Sequence, residues 1–270
     1  MNISTMGRFE DWLAALETRH LANLRVPEVT RALRALSSAY VERRRRPTTG
    51  GGSRPHVLGA LDSAGKRAAF ALFYAPLHFM AVAEVLRVRN TRRTAPKTIV
   101  DLGCGTGAAG AAWALAYQSE PTVIGIDRHP WAVDEAQWTY QQLGVRGRAR
   151  VGDVVRAPGP RGDDAIVAAY VLNELPDAAR IKIENRLVDT AAHGGSVLVI
   201  EPIARGVAPW WDDFAARLTA IGGTADEWRV PIDLPPLLEK FDRAAGLNHR
   251  ELRFRSVIAQ VDARPTPAAW

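Results

Sequence analysis

At Ile99-Val100-Asp101-Leu102-Gly103-Cys104-Gly105-Thr106-Gly107, an apolar run meets a loop with glycine at alternate positions. The β-branched run predicts a buried strand, and the alanine-rich run after the loop predicts a helix. Glycine allows positive φ angles and close approach of a ligand, while the start of a helix offers unpaired amides. The segment therefore predicts a nucleotide-like ligand at a strand–loop–helix turn.

The pattern around this turn is that of a parallel sheet. From residue 98 onward, short apolar runs alternate with amphipathic runs, as in successive βαβ units. Strands are predicted at 98–102, 122–127, 149–152, 165–171 and 196–201, with one or two more within 251–261. Helices are predicted at 108–118, 130–143, 178–192, 211–221 and 234–245. The fold class is thus α/β, with a nucleotide-binding domain spanning residues 96–270.

The preceding residues, 1–95, have helical periodicity. Two or three amphipathic helices are predicted within 8–46, and a further helix within 63–88 that Pro76 should kink. Between them, residues 46–56 contain proline and a run of three glycines, which predicts a flexible loop. We therefore expect an N-terminal helical extension before the α/β domain.

The basic residues are concentrated in this extension. Residues 1–97 contain 17 Lys and Arg against 7 Asp and Glu, whereas the remainder contains 18 against 22, within a net charge of +6. Arginine and lysine bind phosphates without regard to base sequence, so the extension could dock on a polyanion such as RNA. A solvated helical surface with no such partner is the alternative.

Composition also restricts the compartment and the chemistry. No apolar run reaches the roughly 18 residues of a membrane-spanning helix, and the first residues lack the apolar stretch of a signal peptide. We therefore expect a cytoplasmic protein without a membrane partner. Cys104 is the single cysteine, so neither an intrachain disulfide nor a cysteine-rich metal site can form. No metal site is predicted.

Three aspartates follow or end the predicted strands. Asp101 precedes the glycine loop, where its carboxylate could receive an ammonium group but would repel a pyrophosphate. Asp127 lies about twenty residues further on, where a carboxylate can accept hydrogen bonds from ribose hydroxyls. Asp153 ends the third strand and could bind an adenine amino group beside Val154. Together the three acids indicate a ligand with an amino acid, a ribose and an adenine.

These segments resemble the first three motifs of class I S-adenosylmethionine-dependent methyltransferases. The resemblance implies a Rossmann-like sheet of seven strands, mostly parallel with the last one antiparallel, and S-adenosylmethionine as the cofactor over the carboxyl ends of the first two strands. The motifs are Val100–Gly107, Gly125–Asp127 and Gly152–Val154. The implied cofactor-binding residues are Asp101, Gly103, Cys104, Gly105, Gly107, Asp127, Arg128, Asp153, Val154 and Tyr170.

The methyl acceptor should lie beside the loop that follows the fourth strand. Asn173 and Glu174 are the candidate catalytic residues there, because methyl transfer requires positioning and, for some nucleophiles, removal of a proton. Glu174 could instead only stabilise the start of the next helix. Tyr74 and Trp210 are candidates for substrate binding. Cys104 lies in the cofactor loop, which argues against a cysteine nucleophile.

A narrower resemblance is to the methyltransferase-like proteins associated with the small ribosomal subunit. It rests on residues 29–40, 170–176 and 197–202, although the cysteine cluster common in that family is absent. The resemblance implies methylation of ribosomal RNA or of the small ribosomal subunit, with the basic extension docking on phosphate. Two alternatives stay open. One is a small-molecule or peptide methyltransferase in which Phe70, Phe73, Tyr74 and Met80 line an apolar pocket. The other is an assembly factor that keeps the cofactor fold without catalysis.

Overall fold

The computed structural model describes residues 3–45, 61–89, 95–117, 119–159, 164–204 and 206–260, and the loop predicted at 46–56 lies outside them. The helices are α1 (Ile3–Leu21), α2 (Val26–Arg45), α3 (Ala64–Ala69), α4 (Ala75–Val88), α5 (Ala108–Ala114), α6 (Pro130–Gln142), α7 (Asp177–Ala192), α8 (Trp211–Thr219) and α9 (Pro236–Ala245). The strands are β1 (Thr98–Leu102), β2 (Thr122–Asp127), β3 (Gly147–Val151), β4 (Ala165–Ala169), β5 (Ser196–Pro202), β6 (Thr224–Pro231) and β7 (Glu251–Ala259).

The seven strands form one sheet in the order β3-β2-β1-β4-β5-β7-β6. Strands β1 to β5 are parallel to one another, and β7 is antiparallel to both β5 and β6. The predicted Rossmann-like α/β fold is therefore confirmed. The order reverses between β1 and β4, and in such sheets ligands bind at the carboxyl ends of the strands beside this reversal.

Two strand predictions need correction. β6 was not predicted from the pattern, because its large apolar side chains are only Trp228 and Val230 and its side chains are at most half-buried. It is the edge strand, where half of a strand faces solvent. The fourth strand was predicted to reach Val171 but ends at Ala169, since Tyr170 has a positive φ of 59° that is incompatible with a strand.

Pro76 does not break the third helical segment. A π-helical turn, Phe70–Tyr74, joins α3 to α4, and the N–H of Ala75 donates to the carbonyl of Phe70, five residues earlier. Pro76 lacks an N–H and lies in the first turn of α4, where a missing donor is tolerated. The predicted kink is thus replaced by a wider turn within a continuous helical segment.

The N-terminal helices cover one face of the sheet. Phe9 and Trp12 of α1 pack against Phe79 of α4, with the rings of Phe9 and Phe79 stacked at 4.9 Å. These side chains belong to the same hydrophobic cluster as Trp113 of α5 and Ile99 of β1. On the opposite face, α7 and α8 bury side chains such as Leu187, Phe214 and Leu218. The sheet is therefore buried on both faces, as its apolar strands require.

Several arginines of the basic extension bind other parts of the fold. Arg8 donates to the carbonyl of Leu143 at the end of α6, and Arg34 donates to the last carbonyls of α9. Cations are favourable at helix C-termini, where carbonyls lack partners within the helix. Arg19 and His20 bind the buried carboxylate of Glu135 at 3.1 and 2.8 Å. Part of the basic excess thus docks α1 and α2 onto the α/β domain.

One described helical stretch, Ala64–Val88, is long and apolar enough to cross a membrane by length and composition. Within its most apolar window, 67 % is buried inside the fold. Its side chains Phe73, Phe79 and Val82 are part of the hydrophobic core. The core therefore accounts for the apolar character of this stretch.

Gly110 provides a test of the packing beneath the glycine loop. A Cβ at Gly110 would lie 2.7 Å from Val123 Cγ1 and 2.8 Å from Asp101 Oδ2. We predict that Gly110→Ala lowers the free energy of unfolding by about 2 kcal/mol, as expected for overpacking. Gly7 is exposed in α1 with no atom within 4 Å of such a Cβ, so Gly7→Ala should raise stability by about 0.5–1 kcal/mol. Urea denaturation measures both, and equal effects of the two variants would contradict this packing.

Candidate active site

A cleft of about 490 Å³ lies at the carboxyl ends of β1, β2, β3 and β4. Its volume is in the range of small-ligand sites, which is roughly 300–1,000 Å³. The cleft brings together residues from Leu61 to Ala179. Those that follow β1 to β4 meet because parallel strands place the loops after them at one edge of the sheet. Nine of the predicted site residues line it: Gly103, Cys104, Gly105, Asp127, Arg128, Asp153, Val154, Tyr170 and Glu174.

The glycine loop has the geometry that its sequence requires. Gly103 and Gly107 have φ values of 65° and 83°, which strain any other residue. A Cβ at Gly103 would lie 2.2 Å from Val171 Cγ2, and one at Gly107 would lie 2.7 Å from Tyr140 Cε1. Gly107 caps the start of α5 and does not line the cleft. Gly107 therefore acts through its backbone conformation, which allows α5 to begin directly after the loop.

Asp127 is held at the cleft by two backbone groups. Its Oδ2 accepts a hydrogen bond from the N–H of Gly105 at 3.0 Å, and its Oδ1 accepts one from the N–H of His129 at 2.9 Å. The carboxylate therefore ties the end of β2 to the glycine loop. Its fixed orientation at the lining suits the predicted contact with ribose hydroxyls.

Asp153 and Val154 lie at the third edge of the cleft. Asp153 Oδ1 accepts a hydrogen bond from the N–H of Val155 at 2.9 Å, which begins a short 3₁₀ turn. Arg186 of α7 donates to the carbonyls of Val154 and Val155 at 3.2 and 2.7 Å. Nothing in the sequence around Arg186 indicated this contact. It anchors the loop that was predicted to hold the adenine.

Asp101 makes a different contact from the one predicted. Its side chain is 1 % exposed, and its Oδ2 accepts a hydrogen bond from the N–H of Gly110 at 2.8 Å. Burial raises the pKa of Asp101 to about 7, and the nearby charge of Asp127 acts in the same direction. Asp101 is not part of the cleft lining, so a direct contact with an ammonium group finds no support here. The residue fixes α5 beneath the loop.

Cys104 lines the cleft, but its thiol is buried. Burial raises the pKa of Cys104 well above its ordinary value, and the charges of Asp101 and Asp127 raise it further. A thiol with a raised pKa stays protonated at neutral pH and is a poor nucleophile. This geometry agrees with the argument against a cysteine nucleophile.

The loop after β4 is organised by Glu201, which sequence reasoning had not placed in the site. The Glu201 carboxyl group is fully buried at the end of β5 and accepts hydrogen bonds from the N–H of Leu172 at 2.9 Å and of Asn173 at 3.3 Å. The side-chain amide of Asn173 also donates to it. Asn173 is therefore held by Glu201 and does not line the cleft. In this structure Asn173 has a positioning role.

Glu174 does line the cleft, three residues before α7 begins. Its N–H donates to the carbonyl of Val171 at 3.0 Å, which closes the 3₁₀ turn Leu172–Glu174. The position suits a contact with the methyl acceptor and also suits stabilisation of the start of α7. A catalytic role for Glu174 stays a prediction.

The two predicted substrate-binding aromatics lie outside the cleft lining. Tyr74 is half-buried behind it, with its ring 6.1 Å from that of Phe70. Trp210 packs on Arg180, whose guanidinium lies 5.0 Å from the indole centroid, and on Phe214. It therefore belongs to the packing on the opposite face of the sheet.

The wall that faces the glycine loop comes from the N-terminal region. Leu61, Phe70 and His78 line the cleft there, whereas Phe73 and Met80 do not. Of the four residues that the small-molecule alternative placed in an apolar pocket, Phe70 alone lines this cleft. Among the described residues, no three His, Cys, Asp or Glu side chains are grouped as metal ligands.

Comparison with known proteins concerns the same segment. Residues 99–195 match the sequence model of a methyltransferase domain family. Residues 99–195 are therefore similar to a methyltransferase domain. This domain contains the glycine loop, Asp127, Asp153 and the loop after β4, so all the predicted motifs fall within it. Its cofactor is S-adenosylmethionine.

Individual relatives agree at the level of the fold. Aklanonic acid methyltransferase DauC from Streptomyces sp. (strain C5) is 30 % identical over 109 residues, which is 40 % of this chain and 49 % of that protein. The chain thus matches about half the length of this curated relative. An O-methyltransferase family protein from Burkholderia thailandensis has a TM-score of 0.52 at 15 % identity, covering 89 % of this chain and 73 % of that one. A putative O-methyltransferase from Nostoc punctiforme PCC 73102 has a TM-score of 0.50 at 14 % identity, covering 89 % and 71 %.

These findings confirm some of the predictions made from the sequence and leave another without support. The class I methyltransferase fold and its cofactor are confirmed. The narrower resemblance to ribosome-associated proteins is not supported by the family match or by these relatives. The cleft also fits the cofactor chemically, since glycine backbone, a carboxylate held by two amides and an exposed carboxylate meet at its lining.

Asp127 provides a test of cofactor binding. Asp127→Asn removes the charge and one acceptor from the hydrogen bonds to Gly105 and His129. We predict a loss of about tenfold or more in affinity for S-adenosylmethionine, since hydrogen bonds to charged groups are worth about 1.5–3 kcal/mol. Asp134→Asn makes the same change at an exposed position of α6 and should bind normally. Calorimetry measures both, and equal affinities would show that Asp127 is not a cofactor ligand.

Glu201 provides a test of the buried carboxyl group. Burial raises the pKa of Glu201 from 4.5 to about 8, so the folded protein keeps a proton that the unfolded chain has lost. The stabilisation is complete below the unfolded pKa and is lost as the pH rises through the folded pKa. We predict that wild-type stability falls between about pH 5 and 8, and that the slope is about 1.4 kcal/mol per pH unit smaller in Glu201→Gln.

Urea denaturation across this pH range measures the slope. Glu10→Gln, at an exposed position of α1, is the matched control and should keep the wild-type slope. The same slope in Glu201→Gln and in the wild type would mean that Glu201 is ionised in the folded protein.

Proposed function

We propose that this protein is an S-adenosylmethionine-dependent methyltransferase that acts on an oxygen atom of a small organic acceptor. The observation that carries the proposal is the wall of apolar Leu61 and Phe70 with the imidazole of His78, which faces the cofactor loop across the cleft. Apolar and aromatic walls with a few polar groups are typical of small-molecule sites. The N-terminal helices that bear this wall are packed on the domain, as a cover over an acceptor site would be.

The relatives favour the same class of acceptor. DauC is named as a methyltransferase of aklanonic acid, and the two structures of similar fold are described as O-methyltransferases. The family match leaves the acceptor open, because one fold serves many substrates. The likeness to DauC and the apolar wall together support an acceptor that is small and carries oxygen.

Each part of the cleft would have a separate task. S-adenosylmethionine, when bound, supplies an electrophilic methyl group. The glycine loop, Asp127 and the loop of Asp153 would hold the cofactor, and Glu201 holds the loop after β4 in place. Tyr170 and Glu174 would contact the acceptor side. Catalysis then rests on positioning the acceptor oxygen in line with the methyl group and removing its proton.

The ribosomal hypothesis is less consistent with the structure. It depended on the basic extension being available for phosphate, but Arg8, Arg19 and Arg34 bind carbonyls and a carboxylate of the α/β domain. Arg89 is likewise paired with Asp226 of β6. A non-catalytic assembly factor would have no need of an apolar wall opposite the cofactor loop. Both hypotheses become outcomes of the following experiment.

The test is a methyl-transfer screen with tritiated S-adenosylmethionine. Phenols, hydroxybenzoic acids and hydroxynaphthoic acids are offered beside ribosomal RNA, small ribosomal subunits and total protein. We predict label in an organic-soluble product from a hydroxylated aromatic acid and none in RNA. Label in RNA, together with salt-dependent retention of RNA on filters, would instead support the ribosomal hypothesis. Cofactor binding without any labelled product would support the non-catalytic one.

A further inference from the structure

His78 is surrounded by aromatic rings at the acceptor side of the cleft. Its imidazole stacks on the ring of Tyr170, with centroids 4.2 Å apart and planes 22° from parallel. The ring of Phe70 meets it edge-on at 5.9 Å, and that of Tyr74 lies 6.5 Å away. His78 and Tyr170 come from opposite walls, one from α4 and the other from the end of β4, and both line the cleft. The contact therefore joins the sheet to the N-terminal cover, the segment 61–78 that forms the opposite wall of the cleft.

The imidazole of His78 forms no hydrogen bond with any residue that the structure describes. Its contacts within this part of the chain are the three ring contacts, and burial alone lowers its pKa to about 3. The ring is therefore neutral, with one nitrogen as a donor and the other as an acceptor. The side chain is half-buried and lines the cleft, so a bound ligand can form a hydrogen bond with a ring nitrogen.

The backbone is unusual on both sides of this contact. Phe70 and Tyr74 begin and end the π-helical turn before α4, and such turns occur often at functional sites. Tyr170 has a φ of 59°, which costs free energy in a residue other than glycine. The π-helical turn and the positive φ of Tyr170 each bring an aromatic ring next to His78. Two independent irregularities thus converge on one imidazole.

We propose that His78 binds the methyl-accepting oxygen of an aromatic acceptor and receives its proton during transfer. This role rests on the proposed function. The neighbouring rings of Phe70 and Tyr170 offer faces and edges against which an aromatic acceptor packs favourably. The ring nitrogen of His78 then favours an aromatic acceptor that carries a hydroxyl group on its ring.

The proposed step is balanced without a further reactant. The acceptor oxygen forms a bond to the methyl carbon while the sulfur–methyl bond breaks, and the electron pair of that bond stays on sulfur. The hydroxyl proton passes to the acceptor nitrogen of His78 and leaves to solvent at the mouth of the cleft. A hydroxyl oxygen that has gained a methyl group is a far stronger acid than imidazolium. The low basicity of His78 therefore does not prevent the transfer.

Glu174 is the rival proton acceptor, because its carboxylate lines the same cleft. Asp127 and Asp153 also line it, but each binds backbone N–H groups of the cofactor loops. The two candidates differ in their surroundings, since His78 lies among aromatic rings on α4 and Glu174 ends the 3₁₀ turn that follows β4. Separate variants can therefore distinguish them.

The test compares His78→Phe with Glu174→Gln on the aromatic acceptor that the screen identifies. Phenylalanine keeps a ring to stack on Tyr170 but has no nitrogen. We predict unchanged calorimetric affinity for S-adenosylmethionine and a fall of about 100-fold or more in kcat, with a smaller change in KM. His193→Phe is the control, because His193 is exposed and binds the carbonyl of Asp189 in its own helix. It should keep full activity.

Two further measurements separate proton transfer from packing. In His78→Ala, added imidazole should restore transfer, whereas thiophene, a five-membered aromatic ring without nitrogen, should not. In the wild type loaded with S-adenosylhomocysteine, the NMR signal of the His78 ring should shift when the acceptor is added. Equal rescue by both compounds or an unchanged signal would overturn the proposal.

The kinetic outcomes are also distinct. Wild-type turnover with an equal kcat in His78→Phe would overturn the role of His78 and leave the proposed function intact. A loss of activity in Glu174→Gln alone would assign the proton to Glu174. An absence of turnover with every small acceptor would overturn the proposed function, and the role of His78 with it.

Discussion

The cleft depends on carboxyl groups that stand at the ends of parallel strands and bind backbone N–H groups of nearby loops. Asp101 after the apolar run of β1 holds Gly110, Asp127 at the end of β2 holds Gly105, and Glu201 near the end of β5 holds Leu172. The bonds to Gly105 and Leu172 fix loops, which lack the hydrogen-bond ladders of strands, and the bond to Gly110 fixes α5 beneath the glycine loop. Two of these carboxyl groups are fully buried, and burial raises the pKa of both.

The N-terminal helices complete the site that these loops begin. Arg8, Arg19 and Arg34 hold α1 and α2 on the domain. The π-helical turn contributes Phe70 to the cleft wall, and α4 contributes His78. A basic surface and an apolar cover thus arise from the same helices. Within the described part of the chain, their charge is used at least partly for intramolecular docking.

The sequence alone predicted the strands around the cleft, and most of the residues predicted to bind the cofactor line it. Glycine spacing and aspartates at strand ends can be read from the local sequence. They indicate one site because parallel strands align their carboxyl ends at the same edge of the sheet. The sequence did not predict the contacts of Glu201 and Arg186, and it placed Phe70 of the cleft wall in the site only within an alternative. Those residues act through contacts between elements distant in the chain, and their own neighbours look like an ordinary strand or helix. The edge strand β6 was missed because its exposed polar residues conceal the alternation.

Hydrogen–deuterium exchange with and without S-adenosylhomocysteine tests the central claim that the strand-end loops and the N-terminal cover form one ligand site. We predict slower exchange on binding in the loops at 103–107, 127–129 and 153–155, and also in the cover at 61–78. No change in these loops, or protection confined to other parts of the chain, would contradict the account.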